Sequence, residues 1–179
     1  TVPSYTYFLV KVETDFYGYF RGFFHTILSK RPLKEIQIQK KNIAASVRES
    51  LSGLIKIQGV VTLLCLLFSK EIAEFFGMPV LGTMILEKTL IAVFLQMLLL
   101  TVMIFLMYFD IRKQIALVTG VFFLSNIVLT IFTLKLGYVF YGYGYLFACL
   151  LALILGYTLL NRHLNRLAYH TFVGQPITG

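Results

Sequence analysis

Residues 89–109 read TLIAVFLQMLLLTVMIFLMYF and contain no charged side chain. Charged residues bracket this run, with Glu87 and Lys88 before it and Asp110 after it. A transmembrane α-helix needs about 20 consecutive, mostly apolar residues to cross the hydrocarbon core of a bilayer. The run therefore predicts a helix that spans a membrane.

The composition of the whole chain indicates the same class of protein. Of the 179 residues, 58% are hydrophobic and 13% are charged, and the mean hydropathy is +0.81. A soluble domain has about 25% charged residues, so water cannot be the solvent of most of this surface. We predict an all-α integral membrane protein built as a bundle of four complete transmembrane helices.

The apolar and polar runs give the layout of a single membrane domain, residues 1–179. Residues 1–10 have the composition of the end of a truncated span, and residues 11–28 predict an interfacial amphipathic helix with aromatic rings at headgroup level. A polar connector is predicted at 29–42 and a tail at 161–179. The four complete spans are predicted at residues 43–69, 89–109, 114–134 and 146–160.

The net charge of +8 is concentrated at the ends of the predicted spans. This pattern is typical of membrane topology, in which cytoplasmic loops carry the excess of Lys and Arg, and does not indicate nucleic-acid binding. The connector, the Arg112-Lys113 turn and the tail fall on one side, while the other side holds only Lys70, Lys88 and Lys135. We therefore expect the connector and the C-terminus to be cytoplasmic.

Motifs for catalysis, cofactors or metal ions are absent from the sequence, which contains no phosphate-binding loop, nucleophile elbow or HExxH. Cys65 and Cys149 both lie inside apolar runs. A free cysteine in such a place usually acts as a small buried hydrophobic residue, so we favour this interpretation over a disulfide or a metal site. We predict a protein that is not an enzyme and needs no cofactor.

Polar side chains inside a span are costly in hydrocarbon and therefore face a cavity or another helix. In the first span Ala45, Glu49, Ser52, Lys56 and Gly59 recur at spacings of three and four, which places them on one helical face. Lys56 either lines a polar cavity, extends its ammonium to the cytoplasmic headgroups, or pairs with Glu49 or another helix. These interpretations remain open.

Further polar residues occur in the middle of the spans, and they either form interhelical hydrogen bonds or line a pathway. The candidate substrate pathway consists of Lys56, Gln58, Gln96, Asn126 and Thr130.

The outer end of the last span is rich in aromatic residues and glycine. An aromatic belt at the membrane–water interface explains these side chains better than sugar stacking does. Gly137, Gly142 and Gly144 indicate a tight, irregular turn, and the small residues Ala148, Ala152 and Gly156 indicate close helix packing. The belt consists of Tyr138, Tyr141, Tyr143 and Tyr145.

Several segments of the chain resemble one known family. The stretches YFLVKVETDFYGYFRGFF, EIQIQKKN, IKIQGVVTLL, LMYFDIRKQ, SNIVLTIFT, YGYGY and LNRHLNRLAYHTF are similar, in this order and over essentially the whole chain, to the Pel exopolysaccharide exporters, PelG. That family is part of the multidrug, oligosaccharidyl-lipid and polysaccharide flippase (MOP) superfamily.

The resemblance implies a protein of about twelve helices in two bundles, of which this chain is the C-terminal portion. It implies passage of a cationic, amino-sugar-containing polysaccharide across the bacterial inner membrane during biofilm matrix formation. A cytoplasmic glycosyltransferase and membrane subunits of the same synthase complex are the implied partners. With such a substrate, Glu13, Asp15 and Arg21 form a cytoplasmic mouth or a partner contact, unless the two acids only pair with Lys11 and Arg21.

Two alternative functions remain open at this point. A flippase for a lipid-linked oligosaccharide would have to hold a diphosphate, and more arginines facing the cavity would be expected. A protein that does not transport could instead anchor a glycosyltransferase through residues 29–42.

Overall fold

A computed structural model describes residues 33–173 of the chain and the separate positions Thr14, Gly18 and Arg21, which are helical and exposed. The predictions for residues 1–10, for most of the interfacial segment, and for Glu13 and Asp15 lie outside the described residues.

The regular structure of the described residues is helical throughout, which confirms the predicted fold class. Four of the helices are long and apolar enough to cross a membrane, so the chain is an all-α, multi-pass membrane protein. The elements are α1 (Leu33–Leu67), α2 (Ser69–Phe75), α3 (Val80–Tyr108), α4 (Arg112–Leu136), a 3₁₀ helix (Tyr138–Phe140) and α5 (Tyr143–Val173).

The helices extend beyond the predicted spans, because hydropathy marks only the part of a helix that lies in hydrocarbon. α1 begins at Leu33, within the predicted connector, since the Lys, Glu and Gln residues of that segment favour a helix as readily as apolar ones do. α3 begins at Val80 and includes Glu87 and Lys88, which the prediction excluded. α5 continues through the predicted tail to Val173.

The ends of the helices carry the expected helix-breaking residues. Pro79 precedes α3 in an extended conformation, and Gly77 before it has a φ of 65°. Between α3 and α4, Asp110 has a φ of 51° and accepts a hydrogen bond at 2.7 Å from the Nε atom of Arg112. Asp is one of the few side chains that tolerate this left-handed conformation.

The chain forms two compact units, one of residues 1–53 and 159–179 and the other of residues 54–158. In the first unit the buried apolar side chains include Ile43, Val47, Leu51, Leu160 and Leu164. The second unit contains the candidate site. Its buried apolar core is contributed mainly by α3 and α5, with Leu98, Leu99, Val102, Phe105, Leu106, Ala148, Cys149 and Ala152.

Small residues of α5 allow close packing in the second unit, as their spacing predicted. Ala148, Ala152 and Gly156 are all buried, and a Cβ atom on Gly156 would lie 3.3 Å from Val102 Cγ1. The approach is closer still at Gly144, where a Cβ atom would lie 2.7 Å from the backbone of Thr130 on α4. α5 therefore contacts α4 through backbone at this point.

α4 buries little of its surface within the chain. Only 6% of its most apolar window is buried, compared with 39% for α3. Its strongly exposed side chains are apolar and include Leu117, Phe123, Leu124, Val128, Ile131 and Phe132. Such a face suits direct contact with lipid.

Candidate functional site

The candidate pathway residues on α1 point in opposite directions. Lys56 is exposed, whereas Gln58 is 4% exposed and follows the buried Leu54 by one turn. Because successive helical residues are rotated by about 100°, Lys56 lies about 200° from both Leu54 and Gln58. The structure therefore does not bring Lys56 and Gln58 together.

Lys56 has no hydrogen-bond or ion-pair partner among the described side chains. Glu49, which the sequence suggested as a partner, is also exposed, as are Ala45 and Ser52. Gly59 has open space where a Cβ atom would stand. With respect to the part of the chain that the structure describes, the ammonium of Lys56 can therefore meet water or a ligand.

The exposed faces of α1 and α4 differ in chemistry. In the unit of residues 54–158, the exposed part of α1 carries the charged Lys56 among apolar side chains such as Val60, Leu63 and Leu67, whereas the exposed side chains of α4 over residues 123–132 are all apolar. A lysine at the centre of a transmembrane helix costs about 2.5–3.5 kcal/mol on insertion scales when it faces lipid. The α4 face therefore suits lipid, whereas the ammonium of Lys56 on α1 suits an aqueous or protein environment.

Gln96 forms a hydrogen bond between helices. The hydroxyl of Tyr145 on α5 donates to Oε1 of Gln96 on α3, and both side chains are partly buried. The ring of Tyr145 also contacts Phe122 of α4 edge-on, with 6.5 Å between centroids. Tyr145, which was predicted to belong to the aromatic belt, thus joins three helices.

Asn126 and Thr130 lie beside this contact on α4. The Thr130 hydroxyl donates to Asn126 Oδ1 at 3.2 Å, and the backbone of Thr130 contacts Gly144. Asn126 is one helical turn from Phe122 and one turn from Thr130, so it lies between the two places where α5 contacts α4. We call Gln96, Asn126, Thr130 and Tyr145 the polar cluster.

The polar cluster offers hydrogen bonds but no charge. The carbonyl oxygens of Gln96 and Asn126 already accept bonds within the protein, which leaves their amide NH₂ groups as donors. The arrangement is suited to holding α3, α4 and α5 together. Lys56, the only charged residue of the candidate pathway, lies on α1 and is not part of this cluster.

We predict that Gln96 and Tyr145 stabilise the bundle as a pair. Gln96→Leu and Tyr145→Phe should each lower the free energy of unfolding in detergent micelles, and the double variant should show a coupling of about 0.6 kcal/mol, with ~1.7 kcal/mol as the upper end for membrane proteins. Tyr157→Phe removes an exposed hydroxyl from the same helix and should show no coupling to Gln96→Leu. Equal coupling for both tyrosines would contradict the pairing.

Lys88 has a role that sequence reasoning missed. Its Nζ atom donates to the Val139 carbonyl at 2.6 Å and lies 4.5 Å from the centroid of the Tyr143 ring. Gly137 and Gly142, on either side of this turn, have φ values of 102° and 89°, which glycine adopts without strain. The sequence offered two hints of this role: Lys88 is a single cation at the start of an apolar span, and the chain contains a turn rich in Tyr and Gly.

The remaining belt residues surround this turn. Tyr138 is 69% exposed and contacts Tyr141 edge-on at 5.5 Å, while Tyr143 stacks on Phe147 at 6.0 Å. These rings fit a position at the membrane–water interface, at the N-terminal end of α5. Arg21 of the predicted cytoplasmic mouth is exposed, and its two acidic neighbours lie outside the described residues.

Comparison with known proteins gives one match. The sequence model of the PelG family, described as "Putative exopolysaccharide Exporter (EPS-E)", matches residues 1–172. Among the curated proteins no relative matches, and among the solved structures there is likewise no match.

Proposed function

Because the chain belongs to the PelG family of exopolysaccharide exporters, we propose that it forms part of the route by which a polysaccharide crosses the bacterial inner membrane during biofilm matrix formation. The observation that carries this proposal is Lys56, which is exposed on a membrane-spanning helix and has no partner among the described side chains. A charge at this place is tolerated if the face of α1 lines a water-filled route.

The chemistry of Lys56 suits a hydroxyl-rich polymer. An ammonium group has three hydrogen-bond donors and no acceptor, so it can bind the hydroxyl and carbonyl oxygens of sugars. It does not attract a cationic polymer. If the substrate contains amino sugars, as we propose, the attraction comes from Glu13 and Asp15 at the cytoplasmic mouth, acting over the screening length of about 8 Å at physiological ionic strength.

The proposed mechanism is that of a flippase built from two bundles. One bundle rocks against the other around a central route, so that the route opens to each side of the membrane in turn. The face of α1 that carries Lys56 would meet the second bundle across this route, while the apolar face of α4 meets lipid. We further propose that a cytoplasmic glycosyltransferase and other membrane subunits deliver the polymer.

Two other functions make different demands on the chain. A flippase for a lipid-linked oligosaccharide needs cations that grip a diphosphate, for which arginine is the better residue, and the exposed part of α1 in the unit of residues 54–158 offers one lysine. A glycosyltransferase anchor needs no unpaired charge inside a span. Export of the polymer itself therefore remains the function that Lys56 favours.

A secretion experiment tests the proposal. In cells that keep the active glycosyltransferase, deletion of the protein should leave polymer inside the cell and abolish it outside, and the intact gene should restore secretion. If polymer synthesis itself stops, the protein serves as an anchor. If intact polymer still reaches the medium, the export function is refuted.

The proposed orientation places the N-terminal end of α1 and the C-terminus in the cytoplasm. In a variant without Cys65 and Cys149, a cysteine at position 31 or 163 should be protected from an impermeant reagent added to intact cells. A cysteine at position 138, in the exposed turn, should react. Outside labelling at position 163 would reverse the orientation.

A further inference from the structure

The segment between the first two spans exposes an unusual amount of apolar surface. α1 ends at Leu67 and α3 begins at Val80, so the segment lies at one face of the membrane. Phe75 is 85% exposed and Phe76 is 66% exposed. Their rings contact each other edge-on with centroids 5.3 Å apart, and Leu67, Phe68 and Val80 beside them are also exposed.

The segment is held firmly, so this exposure is not that of a loose loop. Ser69 and Ala73 of α2 are buried, and the Ser69 hydroxyl donates to Glu87 Oε1 on α3 at 2.9 Å. Gly77 and Met78 donate backbone hydrogen bonds to the last turn of α2. α2 therefore has a fixed orientation relative to α3.

The side chains of α2 fall into three sectors around the helix. At about 100° per residue, Ser69 and Ala73 share the sector that faces the protein. Lys70 and Glu74, which are four residues apart and exposed, share a second sector about 100° further round. Phe75 projects into the third sector, roughly 120° beyond that pair.

We propose that α2 lies on the surface of the bilayer as an anchor, with Phe75 and Phe76 immersed at the boundary between headgroups and acyl chains. Lipid is the occupant because α2 joins the ends of two spans, and its apolar sector adjoins the exposed apolar side chains of Leu67, Phe68 and Val80 at those ends. The separation of the charged pair from the aromatic pair is typical of helices that lie in the interface. Glu71, at the edge of the aromatic sector, is at the level of the headgroups.

The anchor sets the depth of α1 in the membrane. Lys56 lies eleven residues before the end of α1, which corresponds to roughly 16 Å at 1.5 Å per residue. With α2 fixed at the surface, α1 cannot slide to carry the Lys56 ammonium to the nearer headgroups. The inference itself needs only the membrane and does not depend on export.

Fluorescence can test the anchor because the chain contains no tryptophan. Phe75→Trp and Phe76→Trp are conservative changes that each introduce a single reporter. The protein is reconstituted in phosphatidylcholine vesicles with and without brominated acyl chains. We expect bromine to quench both reporters by more than half, and acrylamide in the water to quench them weakly. Lys70→Trp, in the charged sector, should show the opposite pattern.

Two results would overturn the anchor. Acrylamide could quench the reporters at 75 and 76 as strongly as the one at 70, which would place the phenylalanines in water. Alternatively, neither quencher could reach them, which would show that a second copy of the chain covers them. Because each reporter is read separately, one variant that fails to fold leaves the other as the test.

Discussion

Gly144→Ala is expected to destabilise the bundle more than alanine at Gly120 or Gly156 does. The new Cβ atom would lie 2.7 Å from both the nitrogen and the Cα atom of Thr130 and 2.8 Å from the carbonyl carbon of Leu129. These are backbone atoms, which cannot rotate away as a side chain can, so α5 must move. Overpacking of this kind costs about 1–3 kcal/mol, and we expect the upper end of this range.

The matched control for Gly144 is Gly120→Ala. Gly120 is a helical glycine of α4 with nothing within 4 Å of the added Cβ atom, so alanine should leave stability unchanged or raise it by up to ~1 kcal/mol through its better helix propensity. Thermal unfolding in detergent, monitored together with the yield of folded protein, measures both variants. Equal stability of the two would show that α5 does not approach α4 as the structure has it.

Lys56→Leu is expected to impair secretion of the polymer about tenfold or more while improving membrane insertion. A hydrogen bond that involves a charged group contributes about 1.5–3 kcal/mol, and a tenfold change in rate corresponds to 1.4 kcal/mol. Leucine removes the charge and the donors and is also shorter than lysine. The measurement is polymer in the medium per cell, with insertion checked by protein in the membrane fraction.

Two further variants separate a pathway role from a general effect of charge. Lys56→Arg keeps a cation and should retain much of the secretion. Lys135→Leu makes the same chemical change in the exposed last turn of α4 and should leave secretion intact. Normal secretion by Lys56→Leu would favour a lysine that extends to the headgroups.

The sequence predicted the membrane-spanning part of the fold well, because charge is excluded from hydrocarbon. It predicted the helix boundaries less well. Outside the hydrocarbon a helix can continue through polar residues, so the end of an apolar run does not mark the end of the helix. The run of residues 161–173 illustrates this: its Arg, Asn and His residues mark the end of the hydrocarbon, but α5 continues through them to Val173.

The candidate site was predictable only where the information is local. Helical spacing placed Lys56 on one face of α1, and the same spacing could have shown that Gln58, two residues further on, lies on the opposite side of the helix. The hydrogen bond between Gln96 and Tyr145 joins residues 49 positions apart, and no periodicity encodes such a distance. The close packing of Gly144 could have been predicted, because Gly144 precedes Ala148 by the same four-residue step that separates Ala148, Ala152 and Gly156.

The proposed route requires that the α1 face around Lys56 meets water within the membrane. Lys56→Cys, in a chain whose Cys65 and Cys149 are replaced by alanine, measures this directly in native membranes, since a thiol reacts as the thiolate and therefore needs water. Phe123→Cys and Val128→Cys on the exposed apolar face of α4 are the matched controls. We predict that a small hydrophilic thiol reagent modifies position 56 and leaves positions 123 and 128 unmodified. Equal protection of all three positions would contradict the account.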